Sequence, residues 1–190
     1  MEKAIFIDRD GVVNRDPGGW TRYSYVTKWE DFLFIDGSIE ALKRLKDAGY
    51  RVCLISNQAG IAKGYFTISD LDKLNKRMLE AIEAGGGKID ELNYCPHEKT
   101  DMCNCRKPKT GMIEKALVGR DVDIKNTFVI GDDLRDIETG KKMGMKTILV
   151  LSGKTEKSSV EASKIKPDFI KNNLLEAVNF ILENERKPNE

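Results

Sequence analysis

An α/β fold is predicted, a Rossmann-like three-layer αβα sandwich on a mainly parallel sheet, with no separate cap domain. Three features of the sequence point to it. Short apolar, β-rich runs alternate with segments of helical spacing along the whole chain. The runs read as buried strands, apolar along their length, as in sheets covered on both faces. Polar and acidic residues follow directly on the runs, where such sheets bind ligands beyond the carboxyl ends of their strands.

The elements follow in order. "KAIFI" at 3–7 is a buried strand that stops at "DRDG". "SIEALKRLKDAG" at 38–49 sets Ile39, Leu42 and Leu45 at helical spacing, and Gly49 ends the helix. "RVCLIS" is a second buried strand leading into the loop "NQAGIAKG", and a capped helix begins at "TISDLDKL" and runs to a triple glycine. "DELNY" is a short third strand before a cysteine-rich loop. Helix "TGMIEKALVG", strand "TFVIG", helix "LRDIETGKKMG" and strand "KTILVLSG" come next, and a "PDFI" strand and a helix over 174–183 close the chain. The segment from Asn14 to Phe34 breaks the alternation. It is long, aromatic and glycine-bearing, and is expected to fold as a flap over the strand ends. No repeat, low-complexity tract or linker divides the 190 residues, so a single domain is expected.

Composition excludes several classes. With 32 basic against 31 acidic residues the formal net charge is +1, and no basic block stands apart to grip a nucleic acid. A small anionic substrate needs only a few placed cations. No apolar run reaches the roughly 18 residues of a membrane span, and "MEKAIFIDRDG" lacks a signal-peptide layout. A cytoplasmic monomer acting on a small molecule is expected. Four cysteines in such a chain argue against a disulfide framework.

Four polar clusters stand at strand ends. Asp8 and Asp10, two residues apart, are suited to holding Mg²⁺ while one attacks phosphorus and the other moves protons; an acidic turn would look the same. Ser56 and Asn57 offer a hydroxyl and an amide to phosphoryl oxygens, or simply make a turn. Lys107, just before Pro108, offers a fixed cation. "VIGDDLRD" puts Asp132, Asp133 and Asp136 after a buried strand, either as an acidic helix start or as further reach toward a cation.

In order and spacing these four clusters resemble the haloacid dehalogenase (HAD) superfamily of phosphohydrolases over residues 4 to about 150. The resemblance implies Asp8 as the nucleophile that forms an aspartyl-phosphate and Asp10 as general acid and base. It implies Mg²⁺ on Asp8, the Asp10 carbonyl and Asp132, with Ser56 and Lys107 steadying the phosphoryl group. Asp133 and Asp136 receive no definite role.

"CPHEKTDMCNC" supplies two ligand pairs, Cys95 with His97 and Cys103 with Cys105. Thiolates and imidazole suit Zn²⁺, and four protein ligands close a tetrahedral shell of the structural kind. A disulfide within the loop, or an unligated loop, is the competing reading. Cys53 lies inside a strand and reads as a small buried apolar residue. The continuation "CRKPKTGM", with "DRDGVVN", "FIDGSIEAL", "SNQAGIAKGYFT" and "NYCPH", is similar to the capless HAD branch that contains the heptose bisphosphate and histidinol-phosphate phosphatases. This resemblance implies that Arg106 meets the distal phosphate or sugar, and that Asn57, Gln58, Ala59 and the flap about Asp16, Gly19 and Trp20 line the pocket. Two departures stand out: Asp133 occupies a position where the heptose enzymes carry lysine, and the flap is longer. Of the flap's Trp20, Tyr23 and Tyr25, at least two are expected to pack it down. A Mg²⁺-dependent phosphatase of heptose 1,7-bisphosphate is the leading expectation, with histidinol phosphate as the rival substrate. A receiver-like phosphoacceptor domain explains neither Asp10 nor the cysteine loop.

Overall fold

A computed structural model describes residues 1–185. Six parallel strands form one sheet: β1 (Ala4–Ile7), β2 (Arg51–Asn57), β3 (Glu91–Cys95), β4 (Phe128–Gly131), β5 (Lys146–Val150) and β6 (Phe169–Lys171), in the order β3-β2-β1-β4-β5-β6. The chain builds outward from β1 to β3, then returns to β4 on the other side of β1. That reversal separates the connections leaving β1 and β4 and opens a crevice at their carboxyl ends. Ile7 stands opposite both Leu54 and Ile130, so β1 and β4 end almost level while β2 runs on to Asn57.

Strand pleating divides the core in two. Ile5, Ile7, Val52, Leu54, Ile130, Ile148 and Val150 face one side, where α1 (Ser38–Asp47), α2 (Ile68–Ala84) and α6 (Leu174–Glu185) cover them. Phe6, Cys53, Ile55 and Val129 face the other side and pack on α3 (Gly111–Leu117); Leu149 packs there on α4 (Leu134–Lys142) and α5 (Lys157–Ala162). Cys53 is accordingly a buried apolar residue, as its place in the strand suggests. Thr67 and Asp70 close a capping box at the start of α2, and Gly85 ends it. α5 is a helix the sequence pattern does not reveal, because Val160 is its one buried side chain and no period can emerge from a single anchor. No helix among the described residues is long and apolar enough to cross a membrane.

The flap leaves and rejoins the sheet side by side. Arg15 donates to the Leu33 carbonyl at 2.8 Å and Ile35 to Val13 at 3.0 Å, which pins its base. Within it a short 3-10 turn at Trp29–Asp31 stacks Trp29 on Phe32, with ring centroids 5.3 Å apart. Tyr23 stacks on Tyr65 at 4.4 Å, and Tyr25 packs against Tyr65 and Phe66. The flap is thus docked on the loop between β2 and α2.

Leu42, fully buried on α1 against the sheet and far along the chain from the strand-end loops, isolates the packing contribution. Leu42→Ala should lower the unfolding free energy by about 2–5 kcal/mol in a denaturant titration, with kcat unchanged in the folded fraction.

Candidate active site

The loop after β1 is wound tightly around its own carbonyl. The Arg9 carbonyl accepts from the N–H groups of Val12, Val13 and Asn14, and Gly11 takes a positive φ of 84°. A Cβ at Gly11 would also run into the Asp132 carboxylate, so glycine is required there for both conformation and space. Ser152, after β5, donates its hydroxyl to the Gly11 carbonyl at 2.7 Å and joins a third loop to this one.

Asp8, Asp132 and Asp136 converge, each with a carboxylate oxygen within 4.8 Å of the others. Lys107 is inserted beside them, 3% exposed. Its Nζ lies 2.9 Å from Asp8 Oδ1 and 2.6 Å from Asp136 Oδ1, and donates to the Ile55 carbonyl at 2.8 Å. The ammonium is thus surrounded by two carboxylates and a carbonyl. Burial would favour the neutral amine, but the Asp136 and Asp8 carboxylates outweigh it and hold Lys107 charged beyond the ordinary lysine range. The carboxyls respond in the opposite sense. Burial, then the charges of Asp8 and Asp136, push Asp132 well above the usual carboxylate range. Asp136 rises to about 6 through burial and Asp8, against the pull of Lys107. Three clustered carboxylates with one cation are short of positive charge, and hard oxygen donors of this kind suit a divalent cation such as Mg²⁺.

Asp136 has a second task. With Asp133 it forms the capping box of α4, and its Oδ2 accepts from the Asp133 N–H. Both readings of "DDLRD" therefore apply: Asp132 and Asp136 face the cluster, while Asp133 caps the helix and pairs with Arg135 at 2.6 Å. Burial opposes ionisation of Asp133, but the Arg135 contacts prevail and bring it down to about 2.

Asp10 turns away from Lys107 to a separate cation. Arg9, 1% exposed, grips its carboxylate through Nε and Nη2, with Nη2 at 3.0 Å from Oδ2. Asn14 donates to Oδ1 at 2.9 Å and Gln58 to Oδ2 at 3.0 Å. Burial alone would raise the Asp10 carboxyl; Arg9, Asn14 and Gln58 hold it below its ordinary value. Sequence reasoning missed Arg9 and Asn14. The middle residue of an Asp-x-Asp motif carries no local sign of being a buried counter-ion.

Asp8, Asp10, Ser56, Asn57, Arg106, Lys107 and Asp132 all border one cavity of about 260 Å³. Five residues expected on its wall lie elsewhere. Gln58 is buried behind it, bridging Asp10 and Ser56. Ala59 is buried in the following turn. Asp16 turns back to cap the Gly18 N–H and to pair with Lys154 at 3.2 Å, Trp20 is tied by its indole N–H to the Asp16 carbonyl, and Gly19 is an exposed turn. Tyr23 and Tyr25 take the flap's place on the wall. Asn57 borders the cavity, yet its amide is spent on Lys107: Oδ1 accepts from the Lys107 N–H at 3.0 Å and Nδ2 donates to the Lys107 carbonyl at 3.1 Å.

The cysteine loop brings its four ligands together. Cys95 Sγ is 3.6 Å from His97 Nδ1 and 3.7 Å from Cys103 Sγ, and His97 Nδ1 is 3.3 Å from Cys105 Sγ. These are the edges of a tetrahedron that ligand bonds of about 2.0–2.3 Å would span. The cysteines are free thiols, not a disulfide. The residue after Cys105 is Arg106, which donates back to the His97 carbonyl at 3.0 Å, and Lys107 follows.

Comparison with known proteins finds a family model, relatives and solved structures similar to this chain. A family model described as HAD-hydrolase-like matches residues 104–177. D-glycero-beta-D-manno-heptose-1,7-bisphosphate 7-phosphatase of Neisseria meningitidis is 35% identical over 98% of this chain and 98% of its own. D-glycero-alpha-D-manno-heptose-1,7-bisphosphate 7-phosphatase of Campylobacter jejuni is 38% identical over 96% of this chain and 98% of its own. Among solved structures, D,D-heptose 1,7-bisphosphate phosphatase of B. bronchiseptica, complexed with magnesium and phosphate, superposes with a TM-score of 0.87 at 31% identity, covering 96% of this chain and 99% of that one.

Gly11 gives a test of the carboxylate cluster that does not rest on turnover. Gly11→Ala should displace Asp132 and weaken divalent-cation binding roughly tenfold or more, read by isothermal titration with Mg²⁺.

Proposed function

The chain belongs to the HAD-like phosphatase family that includes the D-glycero-manno-heptose-1,7-bisphosphate 7-phosphatases and is a phosphoric monoester hydrolase; from that premise we propose that it removes one phosphate from a heptose 1,7-bisphosphate through an aspartyl-phosphate on Asp8. The observation that carries this reading is the division of the two loop carboxylates between two buried cations. Asp8 is held by Lys107, and Asp10 by Arg9.

The division suits a two-step displacement. Asp8 Oδ1 is engaged by Lys107 and by the Arg9 N–H at 2.7 Å, which leaves Oδ2 as the attacking atom. As the Oδ2–phosphorus bond forms, the bond from phosphorus to the sugar oxygen breaks, and Asp10 delivers a proton to that oxygen. The negative charge of the incoming phosphate raises the proton affinity of Asp10 against the pull of Arg9 and supplies its protonated form. Asp10, now a carboxylate, takes a proton from water as the water oxygen bonds to phosphorus and the acyl phosphate breaks, which returns Asp8. Ser56 and Lys107 hold the phosphoryl oxygens between the steps. Asp8, the Asp10 carbonyl and Asp132, with Asp136 alongside, would hold a magnesium ion, whose positive charge would let a carboxylate approach a phosphate dianion.

Zinc on Cys95, His97, Cys103 and Cys105 belongs to the same proposal as a structural ion. Four protein ligands would leave no open coordination position, and the ion would serve to fix the stretch that presents Arg106 and Lys107. Thiolate ligands fit a reducing compartment, so we place the enzyme in the cytoplasm, acting as a monomer on a small phosphorylated metabolite. Cations beyond Lys107 on the cavity wall favour a bisphosphate over histidinol phosphate.

Asp8→Asn should cut turnover of heptose 1,7-bisphosphate by roughly 10⁴-fold or more while circular dichroism and melting temperature stay native-like; substantial Mg²⁺-dependent turnover in that variant would falsify the nucleophile assignment. Cys103→Ser should lose zinc, measured by elemental analysis, and lower kcat/KM about tenfold or more in the folded fraction. Full activity in a zinc-free, folded variant would remove the positional role of the loop.

A further inference from the structure

The cavity wall carries more positive charge than the cleaved phosphate uses, and most of it is already answered. Lys107 is paired with Asp8 and Asp136, Arg135 with Asp133, and Lys154 with Asp16. Among the described residues bordering the cavity, the cations with no carboxylate within ion-pair distance are Arg106 and Lys63. Arg106 has one N–H on the His97 carbonyl. Among the described residues, the Lys63 ammonium has neither a carboxylate nor a hydrogen bond.

Lys63 is nonetheless held. Its ammonium lies 5.7 Å from the centre of the Tyr25 ring and 5.9 Å from that of Tyr65, within reach of the cation–π attraction. The turn that carries it is closed by Lys63 N–H donating to the Ala59 carbonyl at 3.1 Å and Tyr65 N–H to Gly60 at 2.9 Å. From the flap side, Ser24 takes a positive φ of 55°, a conformation disfavoured for a residue with a Cβ. Tyr23 and Tyr25, on either side of it, both reach Tyr65. Gly60 is closed in by the Phe66 and Tyr25 rings, so flap and turn pack without space for a Cβ. A surface lysine left to solvent needs none of this. An aromatic bed that limits the side chain's freedom while leaving its charge unanswered fits a lysine kept for an anion.

We propose that Lys63, bedded on Tyr25 and Tyr65, is a specificity-determining residue that binds the phosphate the enzyme does not cleave. This rests on the reading of the substrate as a sugar bisphosphate, whose leaving group keeps a phosphate dianion inside the cavity. The flap aromatics then act as the support of a substrate cation rather than as a platform for the sugar ring.

Lys63 is exposed, so its variants should fold. Lys63→Met should raise KM for heptose 1,7-bisphosphate about tenfold or more, the scale of one charge-assisted hydrogen bond, with kcat little changed. The same variant should leave kcat/KM for p-nitrophenyl phosphate, which has no second phosphate, within about twofold of wild type. Lys63→Arg should restore most of the bisphosphate KM. Equal losses on both substrates, or no change on either, would overturn the assignment while the wild type still prefers the bisphosphate. A wild-type enzyme with no preference for the bisphosphate over p-nitrophenyl phosphate would overturn the substrate reading, and the role of Lys63 with it.

Discussion

The Lys107 ammonium, buried between Asp8, Asp136 and the Ile55 carbonyl, is the contact on which the rest of the site depends. Removing such a charge from water is costly and is tolerated only where opposite charge and hydrogen bonds answer it completely. Two carboxylates and a carbonyl within 2.9 Å meet that condition. The consequence is structural as well as electrostatic, because these oxygens come from the loop after β1, from β2 and from the start of α4, and one side chain ties the three together. Its backbone is fixed as well: Asn57 takes both the N–H and the carbonyl of Lys107 from β2, and the cysteine cluster ends one residue before Arg106 on the same stretch. An amide that looks like a substrate contact in the sequence is thus part of the scaffold for a cation.

Arg9 is the complement of Lys107. Two carboxylates two residues apart would repel each other and share whatever charge lay near. Giving each its own buried cation separates their environments, which is how two identical side chains come to do different chemistry. Asn14 and Gln58 complete the isolation of Asp10, and Gln58 also joins it to Ser56. Around this pair the glycines at 11 and 131 admit the carboxylates of Asp132 and Asp136 at distances a side chain would forbid. Burial, and after it the crowding of negative charge, raises Asp132 and Asp136, and the clustered oxygens suit a divalent cation.

Much of this was legible in the chain because its signals are local. An apolar run followed by Asp, Ser or Asp-Asp marks a strand end and its loop, and paired Cys and His at short spacing mark a ligand set whether or not the fold is known. The capping box at Asp133 and Asp136 is equally local. Arg9 was not legible, since its burial depends on what covers the β1 loop. The pocket residues expected at Asp16, Gly19, Trp20, Gln58 and Ala59 were displaced for a similar reason. A loop residue's direction is set by its partners, and those of Asp16 and Gln58 include Lys154 and Asp10, 138 and 48 positions away in the chain. α5 escaped notice because one buried side chain carries no period.

By itself the sequence determined the strands and all the helices but α5, the chemical kind of each strand-end residue and the membership of the cysteine cluster, since each follows from patterns spanning only a few residues. Tertiary structure alone decided which cation answers which carboxylate. Strand order brings the loops after β1, β2 and β4 to one point, and only there do Lys107 and Lys154 find carboxylates far off in the chain while Lys63 is left on its tyrosines with none among the described residues. Pairing of charges across such distances in the chain depends on separation in space and on burial, and neither is encoded in local spacing.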